Sequence, residues 1–178
     1  GTNGVTVGSV EQIKFDDGTT WDLTGGLHLT ANTSTAAVYG TVFDDVIEGG
    51  SSGGALYGYG GDDILIGHGG ANTFTGGAGA DTFVLTDASH SSTIADFSTA
   101  QGDVIDISSL LTGYDPVNDN LSDFVQLTTS GSNTLIKVDT DGTGTGHAMA
   151  QIATLSGVTG LNLNDLVDTG HLIVHAAA

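Results

Sequence analysis

From Gly40 to Val84 the apolar residues return at a fixed interval of nine. The windows GTVFDDVIE (40–48), GGSSGGALY (49–57), GYGGDDILI (58–66), GHGGANTFT (67–75) and GGAGADTFV (76–84) align on a leading glycine. Their eighth positions read Ile47, Leu56, Leu65, Phe74 and Phe83. Neither a helical period nor a long two-residue alternation gives this spacing. A six-residue turn followed by a three-residue strand does, with the eighth side chain pointing into a shared core. Upstream, VGSVEQIKFDDGTTWDL (7–23) holds two β-like runs around Asp17-Gly18, which predicts a hairpin. A Thr/Ala stretch (30–37) reads as strand or connector. Downstream, IADF (94–97) and GDVIDISSLL (102–111) continue the strand pattern, with helical turns expected near Ile107–Leu111 and Leu163–Val167. The expected fold is all-β: a short parallel roll of five nonapeptides, flanked by antiparallel strands that cap both ends. The expected segments are 1–39 as an N-terminal β cap, 40–84 as the roll and 85–178 as a C-terminal β-rich region.

Glycine explains the turns but weakens the fold. It reaches positive φ without strain, yet it loses the most conformational entropy on ordering. Each buried position-eight side chain returns roughly 1.5–3 kcal/mol, which is little against so many glycines. The sixth positions supply a further clue: Asp45, Gly54, Asp63, Asn72 and Asp81. Calcium takes six to eight oxygens, carboxylate and backbone carbonyl alike. The pattern fits the calcium-binding nonapeptide G-G-x-G-x-D-x-U-x. Charge points the same way. The chain of 178 residues carries 21 Asp plus Glu against 2 Lys plus Arg, a formal net charge of −19. Close carboxylates at that charge oppose compaction. Lys14 and Lys137 cannot neutralise them, and several bound Ca2+ ions would. The same imbalance argues against nucleic acid and against docking on anionic lipid. There is no cysteine, so neither disulfides nor thiolate zinc sites form. No signal peptide is visible in GTNGVTVGSVEQ, no run reaches transmembrane length, and no membrane insertion is expected.

The repeats together with ADTFVLTDASHSSTIADFSTAQGDVIDISSLL (80–111) resemble the C-terminal region of RTX proteins exported by type I secretion. The tail NTLIKVDTDGTGTGHAMAQIATLSGVTGLNLNDLVDTGHLIV (133–174) looks like the target domain at the end of very large RTX adhesins. FDDGTTWDL is similar to a module that often precedes RTX repeats. The resemblance implies that two nonapeptides make one coil of a parallel β-roll. Turns eighteen residues apart then stack on one side. Asp45, Asp63 and Asp81 fall in one column, which should bind calcium well. Gly54 and Asn72 fall in the other, which should be weak or partly empty. Carbonyls of Gly58, Gly60, Gly76 and Ala78 complete the expected ligand set, Asp44 and Asp62 support the strong side, and Asp96 is a candidate for its end. Asp103 is a weaker candidate there.

The resemblance further implies a non-catalytic folding and secretion module at the C-terminus of an extracellular, bacterial cell-surface adhesin. Its partners would be calcium and, through the C-terminal region, the type I secretion machinery; a monomer is expected. The RTX tail of a secreted enzyme is the alternative, and a calcium-dependent glycan- or surface-binding module with Tyr39, Tyr57, Tyr59 and Trp21 as platform is another. Trp21 is also expected to pack on the edge of the roll. Other motifs have plainer readings. GGSSG (49–53) fits G-x-S-x-G but lies inside a repeat rather than at a strand-to-helix elbow. VDTDGTG (138–144) partly resembles a calcium loop but lacks its twelfth-position glutamate, so a hairpin turn is expected. The six histidines are scattered, with no H-E-x-x-H, and no acid/base pair in distinct environments is recognisable.

Overall fold

A computed structural model describes residues 12–14, 16–17, 20–22, 24–31, 37–142 and 148–175. Residues 32–36, within the expected connector, lie outside these, as does the Trp21 side chain. The expected hairpin is present: β1 (Gln12–Lys14) pairs antiparallel with β2 (Thr20–Asp22). The nonapeptides then wind into two parallel sheets facing one another. One contains β3 (His28–Thr30), β5 (Val46–Glu48), β7 (Ile64–Gly67) and β9 (Thr82–Leu85). The other contains β4 (Val38–Tyr39), β6 (Gly54–Gly60) and β8 (Asn72–Ala78). Register runs coil to coil, Ile47 beside Leu65 beside Phe83, and Leu56 beside Phe74. Two nonapeptides therefore make one coil, and the chain is a parallel β-roll.

All five eighth-position side chains are fully buried. Phe74 and Phe83 meet edge to face with centroids 6.0 Å apart. The period therefore reports packing: each coil adds two apolar side chains to a stack between the sheets.

Parallel stacking continues beyond the repeats. β10 (Ser92–Ile94) pairs with β8, and β11 (Val104–Asp106) with β9. Ile94 and Ile105 extend the buried stack. A short helix α1 (Leu121–Phe124) leads into an antiparallel meander, β12 (Val125–Ser130), β13 (Asn133–Val138) and β14 (Ala150–Leu155). β14 then joins β10 in parallel. Helix α2 (Leu163–Asp168) is capped by the Asn162 side chain and delivers β15 (Leu172–Ile173), which joins β11 in parallel. A 3-10 turn spans Ser108–Leu110. Both expected helical turns are thus present. The antiparallel strands form the hairpin before the roll and the meander after it. The final rung is parallel in both sheets, built from strands that arrive from far along the chain. No helix among the described residues is long and apolar enough to cross a membrane.

Candidate metal centre

The turns of residues 40–45, 58–63 and 76–81 stack on one side of the roll. Their sixth-position aspartates form a ladder. Asp45 N–H donates to Asp63 Oδ1 (2.7 Å), Asp63 N–H to Asp81 Oδ1 (3.0 Å) and Asp81 N–H to Asp103 Oδ1 (3.1 Å). Leu27 N–H donates to Asp45 Oδ1 at the head of the row (2.6 Å). All four carboxylates are buried. One oxygen of each is fixed by the backbone N–H of the preceding coil, so the other is aimed by the coil geometry rather than by a free rotamer.

Those second oxygens fall into two classes. Asp45 Oδ2 accepts from Thr41 N (2.5 Å) and Thr41 Oγ1 (3.0 Å). Asp103 Oδ2 accepts from Ser98 N (2.8 Å). Asp63 Oδ2 and Asp81 Oδ2 are buried and have no hydrogen-bond partner among the described residues. Burial pushes the Asp63 carboxyl up to about 7, with the charges of Asp81, Asp45 and Asp44 adding to it against the Asp45 N–H bond. Burial likewise raises Asp81 to about 6, with Asp103, Asp96 and Asp62 adding to it. Asp103 is raised for the same first reason. A buried carboxylate without a counter-charge is costly.

These residues fit calcium. A Cβ built on Gly58 would stand 2.1 Å from Asp63 Oδ2 and 2.5 Å from the Gly76 carbonyl oxygen. One built on Gly76 would stand 2.1 Å from Asp81 Oδ2. Carboxylate and carbonyl oxygens thus converge on ground that only a glycine leaves open. No group of three or more His, Asp or Glu side chains suited to a metal occurs among the described residues. An ion held here would take backbone carbonyls beside the carboxylates, the hard oxygen donors that calcium accepts.

The other expected residues divide. Asp44 and Asp62 tie turn to turn: Asp62 N–H donates to Asp44 Oδ1 (2.8 Å) and Ala80 N–H to Asp62 Oδ1 (2.8 Å). The Ala78 carbonyl accepts from Gly61 N–H (3.0 Å), and Gly60 lies nearby. Asp96 accepts from Gly76 N–H (3.1 Å) and Gly77 N–H (2.9 Å), which engages both of its oxygens in closing a turn. On the opposite side, Asn72 Oδ1 is buried without a hydrogen-bond partner among the described residues, facing Gly49. Its amide nitrogen donates to the Gly70 carbonyl (3.2 Å). Ser92 Oγ and Asp87 receive the Asn72 and Gly70 N–H groups. That side offers one neutral oxygen where the aspartate side offers two carboxylates.

Sequence reasoning missed Thr41 and Ser98, which close the two ends of the ladder, and ranked Asp103 below Asp96. Asp103 follows Asp81 by 22 residues instead of 18, so the period hides it. In VDTDGTG, Asp139 Oδ1 accepts from Asp141 N–H (3.2 Å) in the connection from β13 to β14; residues 143–147 lie outside the described set. His28 and His68 both contact Glu48, at 2.5 and 3.0 Å, and hold its carboxyl below the usual range. Tyr39 stacks on Tyr57 with centroids 5.1 Å apart, and on Tyr59 at 6.3 Å.

Residues 55–85 match the RTX calcium-binding nonapeptide repeat, in four copies. No curated protein matches the chain. Among solved structures, the chain is similar to the AlgE6R3 subunit of the Azotobacter vinelandii mannuronan C5-epimerase: 28% identity, 75% of this chain and 72% of that one covered, TM-score 0.49. It is also similar to the AlgE6R2 subunit of that enzyme: 20% identity, 83% and 98% covered, TM-score 0.34. The nonapeptide match over residues 55–85, on coils that wind as a parallel roll, identifies an RTX calcium-binding β-roll within the chain.

Proposed function

We propose that the chain is a non-catalytic module whose folding is switched by calcium, within an exported RTX protein of the large-adhesin type. The observation that carries this reading is the pair of buried carboxylate oxygens on Asp63 and Asp81 that find no hydrogen-bond partner among the described residues. Without a cation they oppose the folded state; with one they hold successive coils together. Metal affinity and folding free energy are then one quantity. Extracellular calcium modules bind at about 10⁻⁴–10⁻³ M, far above a cytosolic level. The acidic chain would stay open before export and fold after it. The tail that resembles an adhesin target domain, including α2 and β15, would engage a type I exporter while still unfolded.

The test is a calcium titration of the chain followed by circular dichroism, with magnesium as control. β-Structure should appear cooperatively between about 10⁻⁴ and 10⁻³ M calcium, and Asp63→Ala should abolish it. A chain equally folded in excess chelator would sink the switch. A second reading, glycan binding, draws on the exposed Tyr39 and Tyr59 beside Tyr57. Calcium-dependent signal on a glycan array, lost in Tyr39→Ala, would favour it.

A further inference from the structure

Tyr59 is the one non-glycine among the described residues with positive φ, at 77°. It occupies the second position of its turn, where the repeat pattern has glycine. The fourth position, Gly61, is also left-handed at 99°. The next turn on the same side repeats the pair, with Gly77 at 107° and Gly79 at 132°. The first turn does not: its second and fourth positions are Thr41 and Phe43, and neither has positive φ.

The state of the carboxylates follows this difference. In turns 58–63 and 76–81 the Asp63 and Asp81 Oδ2 atoms meet no donor among the described residues, and Gly77 N–H points instead to Asp96. In turn 40–45, Thr41 N–H and Oγ1 both close on Asp45 Oδ2. Thr41 Oγ1 also receives Phe43 N–H (3.1 Å), fixing the closed shape. A β-branched residue resists the left-handed region, and a bulky non-glycine enters it only under strain that the surroundings sustain.

We infer that the backbone at the second and fourth turn positions gates the aspartate column, so that turns 58–63 and 76–81 take ions while Thr41 seals turn 40–45 with its own donors. The inference rests on the reading of this column as a calcium site. It makes Thr41 a built-in stopper and the strain at Tyr59 part of the ion site. It also predicts that occupancy can be moved by backbone preference alone, with every aspartate kept.

The experiment counts calcium ions per chain by native mass spectrometry, with circular dichroism on the same samples. The double variant Thr41→Gly/Phe43→Gly should gain one ion over the wild type, and Thr41→Ala, which keeps the N–H and gains no left-handed freedom, should gain none. Tyr59→Thr should lose one ion. Tyr59→Asn, which loses the ring but tolerates left-handed backbone, should keep the wild-type number. An unchanged count in both the double variant and Tyr59→Thr, with normal calcium-dependent folding, overturns the gate and leaves the calcium switch standing. Equal ion loss in Tyr59→Thr and Tyr59→Asn also overturns it, because the ring and not the backbone would then matter. Should the double variant fail to fold, the Tyr59 pair decides alone. A wild-type chain that neither binds calcium nor responds to it overturns both readings.

Discussion

Gly58 lacks a side chain because the space over its α-carbon belongs to Asp63 Oδ2 and the Gly76 carbonyl. Gly58→Ala places a methyl on that ground, in a position whose φ is otherwise permitted. The calcium midpoint should rise at least about tenfold, a cost near 1.4 kcal/mol, when followed by circular dichroism. Gly131→Ala is the contrast. Its φ of +62° faces open space, so the expected cost is about 1–2 kcal/mol of backbone strain with the ion count unchanged. The carboxylates beside Gly58 and Gly76 also set a pH dependence. Without metal, Asp63 and Asp81 titrate near 7 and 6 in the fold, and near 3.9 in an unfolded chain. The folded state then binds more protons, so its stability is greatest below about pH 4 and is lost as pH rises through 6 to 7. In chelator, the β-structure read by circular dichroism should be greater at pH 4.5 than at pH 7.5, and Asp63→Asn should flatten that difference. Calcium competes for the same oxygens, so its midpoint should rise as pH falls below about 7. β-Structure in chelator that grows as pH rises would contradict the burial of these groups.

Rungs that follow the nine-residue period are legible in the sequence; rungs that break it are not. Ile47 through Phe83 can be placed in the core because the period is itself the coil geometry, and the ladder Asp45–Asp63–Asp81 follows from the eighteen-residue coil. Past Leu85 the coils persist, but longer connections shift the offsets. Asn72 reaches Ser92 after 20 residues and Asp81 reaches Asp103 after 22. β14 and β15 join the sheets from distant segments, Ser92 pairing with Ala153 and Ile105 with Leu172, which no local pattern encodes. Thr41 escapes notice because its bonds to Asp45 depend on the local backbone conformation, and left-handedness at Tyr59 is not written in residue type. The stack of rungs should behave as one element. Phe83 touches Phe74 and is fully buried, so Phe83→Ala should cost about 3–5 kcal/mol in denaturant unfolding with calcium present. Val117→Ala, at a position 85% exposed, should stay within about 0.5 kcal/mol. Equal effects would mean that the coils do not share a core.

A chain with net charge −19 and one layer of apolar residues per coil has two opposed tendencies. The buried stack favours collapse, and charge repulsion, concentrated along the turns, opposes it. Ordinary salt and calcium relieve that repulsion differently. Monovalent salt at 0.15 M screens beyond about 8 Å, which softens repulsion between exposed groups and leaves the sealed Asp63 and Asp81 oxygens unsatisfied. Calcium, on the proposed reading, would enter the column itself. Small-angle scattering separates the two. For 178 residues the radius of gyration should be about 16 Å when compact and about 45 Å when unfolded. In chelator at pH 7.5 the chain should lie near the larger value. Sodium chloride should contract it part of the way without the circular dichroism of a β-roll, and millimolar calcium should bring it to the smaller value with that signal. If sodium chloride alone produced the compact β-form, bulk charge would govern the fold and the two buried oxygens would not. If chelator left the chain at about 16 Å, the stack would fold unaided, and an argument for export in the unfolded state would need a different physical basis. The expected result places control in the two carboxylates, because only a bound cation satisfies charge and coordination together.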